Sequence, residues 1–333
     1  MAKIGIEFHG AMIAPNVAAG QRFSDQHPRG VRVRFPPAWR AAAGEDGGVF
    51  TPGAAMIAPQ SVFQSFRQLN QQGRLLLPCA WDAASARLFE AAGHPAIATT
   101  SGGIAYARGV GDAQRLGREA MLREIAAIVR SVGVPVSADI EAGYGLPPHE
   151  VALTVRGALE AGAVGVNLED NGHGALPQPL FAIAAQCERL AAARQAADAL
   201  GAPLWINARV DTYLLDLGLD DELRFAETLA RGKAYLAAGA DMVFAPGLAD
   251  VEEARRLAAD LGGPLNLMAL PGVPGASGWF DVGVARVSLG VGPMLAAMGL
   301  ALRMAEEARA GVWTAMTEHH YGFAEAEALF AQS

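Results

Sequence analysis

Eight short apolar runs recur down the chain, each followed by a longer stretch of helical period. The runs are LLLP (75–78), AIATT (96–100), VPVSA (134–138), VGVNL (164–168), LWINA (204–208), DMVFA (241–245), PLNLMA (264–269) and ARVSL (285–289). They are brief, rich in Val, Ile and Leu, and apolar throughout, the pattern of parallel strands covered on both faces. Among the intervening stretches, 81–93 ends on a glycine, 113–133 carries one apolar stripe through Leu116, Met121, Ile125 and Ile128, and 177–201 opens on prolines. Eight strand–helix units over about 250 residues predict an α/β fold, the (β/α)8 TIM barrel. An open doubly wound sheet is the competing arrangement. It is disfavoured because no G-x-G-x-x-G follows the first run.

The chain has 333 residues, 52% hydrophobic and 18% charged, with a formal charge of −8. That composition supports a sizeable core, and the absence of a basic tract argues against a nucleic-acid partner or an anionic membrane surface. No apolar run approaches the ~18 residues of a membrane span. The two cysteines, Cys79 and Cys187, make no disulfide framework, so the cytoplasm is the expected location. Residues 1–55 lack any sustained period and are expected to be an irregular or disordered extension, with Met56 a plausible alternative start. Residues 56–333 are expected to form the barrel domain with its C-terminal helices.

Barrel chemistry collects at the carboxyl ends of the strands. Read in order, those ends carry Cys79 and Asp82, then TTSGG (99–103), Asp139 and Glu141, Glu169 and Asp170, then Asn207, Arg209 and Asp211, and finally Asn266. Strand side chains alternate with period two, which predicts that Asp139 and Glu141 face the same side, with Glu169 beside them from the next strand. Three acids in one concavity repel one another unless a proton or cation intervenes. Oxygen donors with no His or Cys cluster suit a hard ion, and Mg²⁺ keeps waters and needs few protein ligands. The structural alternative has these acids capping helices or pairing with Arg209. Arg209 itself suits a bidentate carboxylate clamp, or else pairs with Asp211 or Glu169. TTSGG reads as a backbone-exposing turn able to cradle an anion, and on spacing alone Asp112 reads as a helix N-cap.

Taken together, TTSGG, SADIEAGYG, GVNLED, INARVDTYL, AGADMVFAPG and GVARVSLG resemble the isocitrate lyase/phosphoenolpyruvate mutase superfamily over residues 61–330. The resemblance implies a (β/α)8 barrel with a late helix swapped between paired subunits of a homo-oligomer, usually a tetramer built as a dimer of swapped dimers. It puts the last helices in WTAMTEHHYGFAEAEALF. It implies that Asp139 binds Mg²⁺ (with Mn²⁺ a substitute), assisted through waters by Glu141, Glu169 and Asp112. It also implies that Ser101, Gly102, Gly103, Arg209 and Asn266 hold a small oxo- or hydroxy-acid substrate, and that catalysis breaks or moves a C–C or C–P bond.

The sequence departs from that pattern in one loop. Isocitrate- and methylisocitrate-cleaving members carry K-[KR]-C-G-H after strand four, where this chain reads EDNGHGALPQP, with no Lys and no Cys. The Lys and Asn that the phosphomutase branch carries further along this loop have no counterparts at their positions here either. His173 is the titratable group left there besides the acids, a candidate acid/base alongside Arg209 and Glu169. The loop, with Gly172, Gly174 and two prolines, reads as a lid. Three functions are consistent with these residues: a Mg²⁺-dependent C–C lyase, a phosphonopyruvate-type mutase or hydrolase using the glycine-rich LGVG after strand eight, and a barrel that binds metal and oxyacid without turnover.

Overall fold

A computed structural model describes residues 56–331. The extension expected at 1–55 lies outside the described residues. All eight expected strands form, each within two residues of the bounds read from sequence. They are β1 (Leu75–Leu77), β3 (Ile97–Thr99), β4 (Val136–Asp139), β5 (Gly165–Glu169), β6 (Trp205–Arg209), β7 (Met242–Phe244), β8 (Leu265–Met268) and β9 (Arg286–Ser288). A ninth, β2 (Cys79–Ala80), continues β1 beyond Pro78. Proline has no N–H to donate, and the pairing changes partner there: β1 pairs with β9, whereas β2 pairs with β3. Every pairing is parallel, in the order β1-β9-β8-β7-β6-β5-β4-β3-β2. With β1 and β2 counted as one interrupted strand, the sheet returns to its start as an eight-stranded barrel.

Alternation along each strand divides the core in two. Outward residues such as Val166, Leu168, Ile206, Ala208, Val243 and Val287 pack against the surrounding helices, among them α4 (Arg118–Ser131), α5 (Pro148–Glu160), α6 (Ile183–Ala199), α7 (Asp221–Ala237) and α8 (Val251–Asp260). The amino-terminal end of the barrel is closed by α1 (Gln60–Gln71), a helix that the sequence reading did not single out. Its Val62, Phe63 and Phe66 join Leu75, Ala96, Val164, Trp205 and Met242, with Phe66 edge-on to Trp205 at 6.4 Å. Stability thus concentrates at one end, and the opposite rim is left for polar groups.

Several expected boundaries move, each for a local reason. In the 81–93 stretch, α2 (Ala83–Ala91) is capped by Asp82 in a box with Ser85, so Asp82 is a structural group, and the chain leaves through Gly93 at φ +91°. TTSGG is no open turn: Thr100 caps a short helix, α3 (Ser101–Ala107). In the 113–133 stretch the helix starts only at Arg118, because Ala113 and Gln114 sit at φ +70° and +61°. Asp112 therefore does not cap it. The 177–201 helix starts at Ile183, and its prolines belong to a loop closed by a bridge between Asn171 and Leu180. Of the C-terminal helices, α11 (Thr314–Glu318) and α12 (Phe323–Phe330) lie in the stretch where they are expected, α10 (Gly292–Arg309) precedes it, and α9 (Ala276–Asp281) stands between β8 and β9.

Candidate active site

The carboxyl ends of β4, β5 and β6 bring the predicted acids together. Asp139, the last residue of β4, receives both the amide N–H (3.0 Å) and the hydroxyl (2.8 Å) of Ser101 on Oδ2. Ser101 thus orients Asp139 in this structure. Glu141 reaches the site by a route that strand alternation does not describe. β4 has already ended, and Glu141 adopts φ +50° in the following turn. Its Oε1 accepts from the Tyr144 hydroxyl at 2.5 Å and its Oε2 from the Gln114 amide. Gln114 closes the clasp by accepting the Tyr144 N–H on its side chain at 2.6 Å.

Glu169, at the end of β5, is almost wholly buried and lies between the Arg209 guanidinium (Nη1 to Oε2, 2.6 Å) and the His173 imidazole. Both contacts fall off the hydrogen-bond axis, so neither Glu169 oxygen has an aligned donor among the described residues. Arg209 is held along its other edge by Asp211, Nε to Oδ1 at 2.6 Å and Nη2 to Oδ2 at 2.9 Å. Both pairings weighed from sequence therefore occur, and they pin the guanidinium at the rim. Burial opposes the charge on Arg209, but Asp211 and Glu169 outweigh it and raise the group further. Burial likewise opposes a charge on His173, and Glu169 more than offsets that, so the imidazole holds its proton above the usual range. His173 is mostly buried, at φ +49°.

Asp112 is exposed, on the loop after α3, yet its Oδ2 approaches Gly102 so closely that a Cβ there would lie 3.0 Å away. Gly103 has a packing reason of its own, since a Cβ would meet Thr100 at 2.6 Å. Asn266 lies fully buried in β8, in the register row that runs from Glu169 through Arg209 and Phe244. It accepts from the Ser288 hydroxyl at 3.1 Å, and its Nδ2 has no partner among the described residues. Cys79 is a packing group: it is buried, its sulfur accepts the Gly290 N–H at 3.1 Å, and burial pushes its thiol up to about 12. Of the LGVG amides, those of Leu289, Gly290 and Gly292 already donate to Leu77 O, Cys79 Sγ and Leu289 O. Asp170 turns away from the mouth. Burial raises its carboxyl to about 6 although it accepts from Arg231 (3.0 Å), Tyr235 (2.8 Å) and the Asp211 amide (3.0 Å).

The donor set fits a hard divalent cation. Asp112, Asp139, Glu141, Glu169 and Asp211 stand against Arg209 and His173, an excess of negative charge. Burial first, and then the like charges of Asp139, Glu169 and Asp112, lift Glu141 to about 7. Among the described residues no three His, Cys, Asp or Glu side chains form a direct cage for an ion. An ion held through one or two carboxylates and retained waters meets that condition, which is the habit of Mg²⁺.

A parallel barrel with carboxylates and an arginine gathered at its carboxyl rim is the TIM-barrel fold of the isocitrate lyase/phosphoenolpyruvate mutase superfamily of lyases and mutases. The chain belongs to the phosphoenolpyruvate phosphomutase family, whose model matches residues 66–309. An uncharacterized protein of Mycobacterium tuberculosis is 35% identical over 235 residues, 70% of this chain and 84% of that one. The 2-methylisocitrate lyase of Salmonella typhimurium is 31% identical over 204 residues, 59% of this chain and 65% of the lyase. Among solved structures, a putative lyase/mutase from Burkholderia cenocepacia superposes with a TM-score of 0.75 at 39% identity, covering 81% of this chain and 96% of that one. A phosphonopyruvate hydrolase solved with oxalate and Mg²⁺ gives 0.70 at 26% identity, covering 81% and 95%.

Proposed function

We propose that this chain is a Mg²⁺-dependent carbon–carbon lyase acting on a small 2-hydroxy or 2-oxo (di)carboxylate, in the cytoplasm. The observation that carries the reading is the pairing of a buried, proton-holding His173 with Glu169, beside an arginine pinned by Asp211. Asp139 would hold the ion, with Glu141, Glu169 and Asp112 acting through its waters and Mn²⁺ able to substitute. When bound, it supplies Lewis-acid polarisation of the substrate's oxygens.

The protein's own groups account for the rest. Arg209 clamps a substrate carboxylate through the Nη hydrogens that Asp211 and Glu169 leave over, and its fixed plane sets the substrate's orientation. Asn266 Nδ2 is a buried donor free to meet a second oxygen, and Gly102, facing Asp112, leaves the backbone beside Ser101 open to substrate. In retro-aldol cleavage Glu169 takes the proton of the 2-hydroxyl, the C2–O bond becomes a carbonyl, and the C2–C3 bond breaks with its electron pair going to carbon 3. His173 Nε2 then delivers a proton to that carbon. The imidazole takes the acid role that a cysteine performs in the K-[KR]-C-G-H loop absent here. The C–P alternative has less support, since the amides expected to cradle a phosphoryl group are mostly engaged.

The assembly reading belongs to the same proposal. α10 buries none of its residues, and Leu302, Trp313 and Phe323 stand at least 60% exposed. A second copy of the chain exchanging these helices would cover them. Among the described residues no helix is long and apolar enough to cross a membrane.

The test is a panel of substituted malates with Mg²⁺, read by release of pyruvate or glyoxylate, alongside calorimetric binding of oxalate. Cleavage with Mg²⁺-dependent oxalate binding that Asp139→Ala abolishes is the expected result. Phosphate release from phosphonopyruvate would transfer the reading to the C–P branch, and oxalate binding without turnover of either panel would leave a binding protein.

A further inference from the structure

We propose that Asn171 is a positioning residue that couples the loop bearing His173 to the clamp that holds Arg209. The inference rests on the functional reading above and adds a residue to it. Asn171 follows Glu169 by two positions, where β5 gives way to the loop. Its carboxamide uses both ends. Oδ1 accepts the backbone N–H of His173 at 2.8 Å, and Nδ2 donates to Asp211 Oδ2 at 3.1 Å. That same Asp211 oxygen receives Arg209 Nη2 at 2.9 Å. One side chain therefore touches the backbone of the acid/base candidate and the carboxylate that orients the substrate clamp.

Two features make the contact consequential. His173 sits at φ +49°, a left-handed conformation unfavourable for any residue with a Cβ unless its surroundings hold it. The acceptor two residues earlier is such a hold, an Asx turn about His173. The loop is also stapled at its base by the Asn171–Leu180 bridge, with Gly172 N donating to Pro179 O at 2.9 Å and Phe181 N to Asp170 O at 2.8 Å. A loop closed at its base and tied at that point to the clamp carries His173 into contact with Glu169 in the same arrangement that fixes Arg209. The chemistry demands a carboxamide. Aspartate would still accept from His173 N but would set a second charge against Asp211, and leucine would do neither.

The experiment measures oxalate affinity with saturating Mg²⁺, together with the rate of proteolytic cleavage within 172–179, for wild type and three variants. Asn171→Asp should weaken oxalate binding on the order of tenfold through the disturbed clamp, with loop cleavage little changed. Asn171→Leu should weaken binding and also speed loop cleavage, at unchanged melting temperature. Asn171→Ser keeps a hydroxyl that can accept the His173 N–H but is too short to reach Asp211, so it should weaken oxalate binding while leaving loop cleavage near wild type. A purely structural role would not separate the two readouts. Wild-type affinity in Asn171→Asp or in Asn171→Ser overturns the proposal. Should wild type itself fail to bind oxalate, the functional reading falls, and loop cleavage still decides this inference. Faster cleavage in Asn171→Leu supports it, and an unchanged rate refutes it.

Discussion

Glu141→Gln tests the electrostatic core of the site by removing one charge at nearly constant volume. Burial, reinforced by Asp139, Glu169 and Asp112, raises the Glu141 carboxyl from 4.5 to about 7. The folded chain therefore holds this proton more tightly than the unfolded chain does. The group's contribution to stability is fully present below the unfolded value and is lost as pH rises through about 7. At 1.36 kcal/mol per pH unit, the loss amounts to about 3 kcal/mol in cation-free protein above neutrality. Glutamine escapes that loss but offers one acceptor where Glu141 uses two, against the Tyr144 hydroxyl and the Gln114 amide, at a cost of about 1 kcal/mol. Cation-free Glu141→Gln should thus exceed wild type by about 2 kcal/mol near pH 8, with the advantage gone near pH 5. Saturating Mg²⁺ with oxalate should narrow that gap, because a ligand at 100 times its Kd stabilises wild type by about 2.7 kcal/mol and the variant by less. Urea unfolding at fixed protein concentration, in EDTA and in Mg²⁺ with oxalate, measures all of these differences. A variant less stable than wild type in EDTA near pH 8, yet stabilised equally by Mg²⁺ and oxalate, would refute both the repulsion among the acids and Glu141's place beside the ion.

Two further outcomes are expected. His173→Gln, which keeps a polar side chain in the loop but has no proton to deliver, should lower turnover by about 10²–10⁴-fold while leaving oxalate affinity within a few-fold of wild type; steady-state kinetics beside calorimetry separates the two effects. Leu302→Glu combined with Phe323→Glu places charges on the exposed C-terminal helices and should shift the chain to a smaller assembly, read by light scattering after size exclusion, with the barrel's circular dichroism retained.

The amino-acid order by itself determined the barrel and the acids and arginine that gather at its rim, but not that Asp82, Asp170 and Cys79 would be turned to structural use. Short apolar runs at strand length, separated by helical periods, leave a parallel sheet little alternative, because both faces of such runs must be covered. The acids at 139, 141 and 169 and the arginine at 209 were legible because strand ends in this fold all point to one rim. Tertiary structure alone decided how those groups are used. Periodicity assumes regular backbone, and the site is built where the backbone is not regular. Glu141, Tyr144, His173 and Gln114 all take positive φ; Gln114 reaches Glu141 and Tyr144 from a distant loop, while His173 is tied to Asn171 just before it, and neither contact shows in a periodic pattern. The same limit hid the plug helix α1, whose apolar face has meaning only once the strand ends it covers have assembled, and the carboxamide of Asn171, which a sequence shows as a loop polar residue. Local pattern selects the scaffold because hydrophobic burial repeats with a period. Charge pairing and backbone strain at the rim have no period, and only the folded chain brings them into one place.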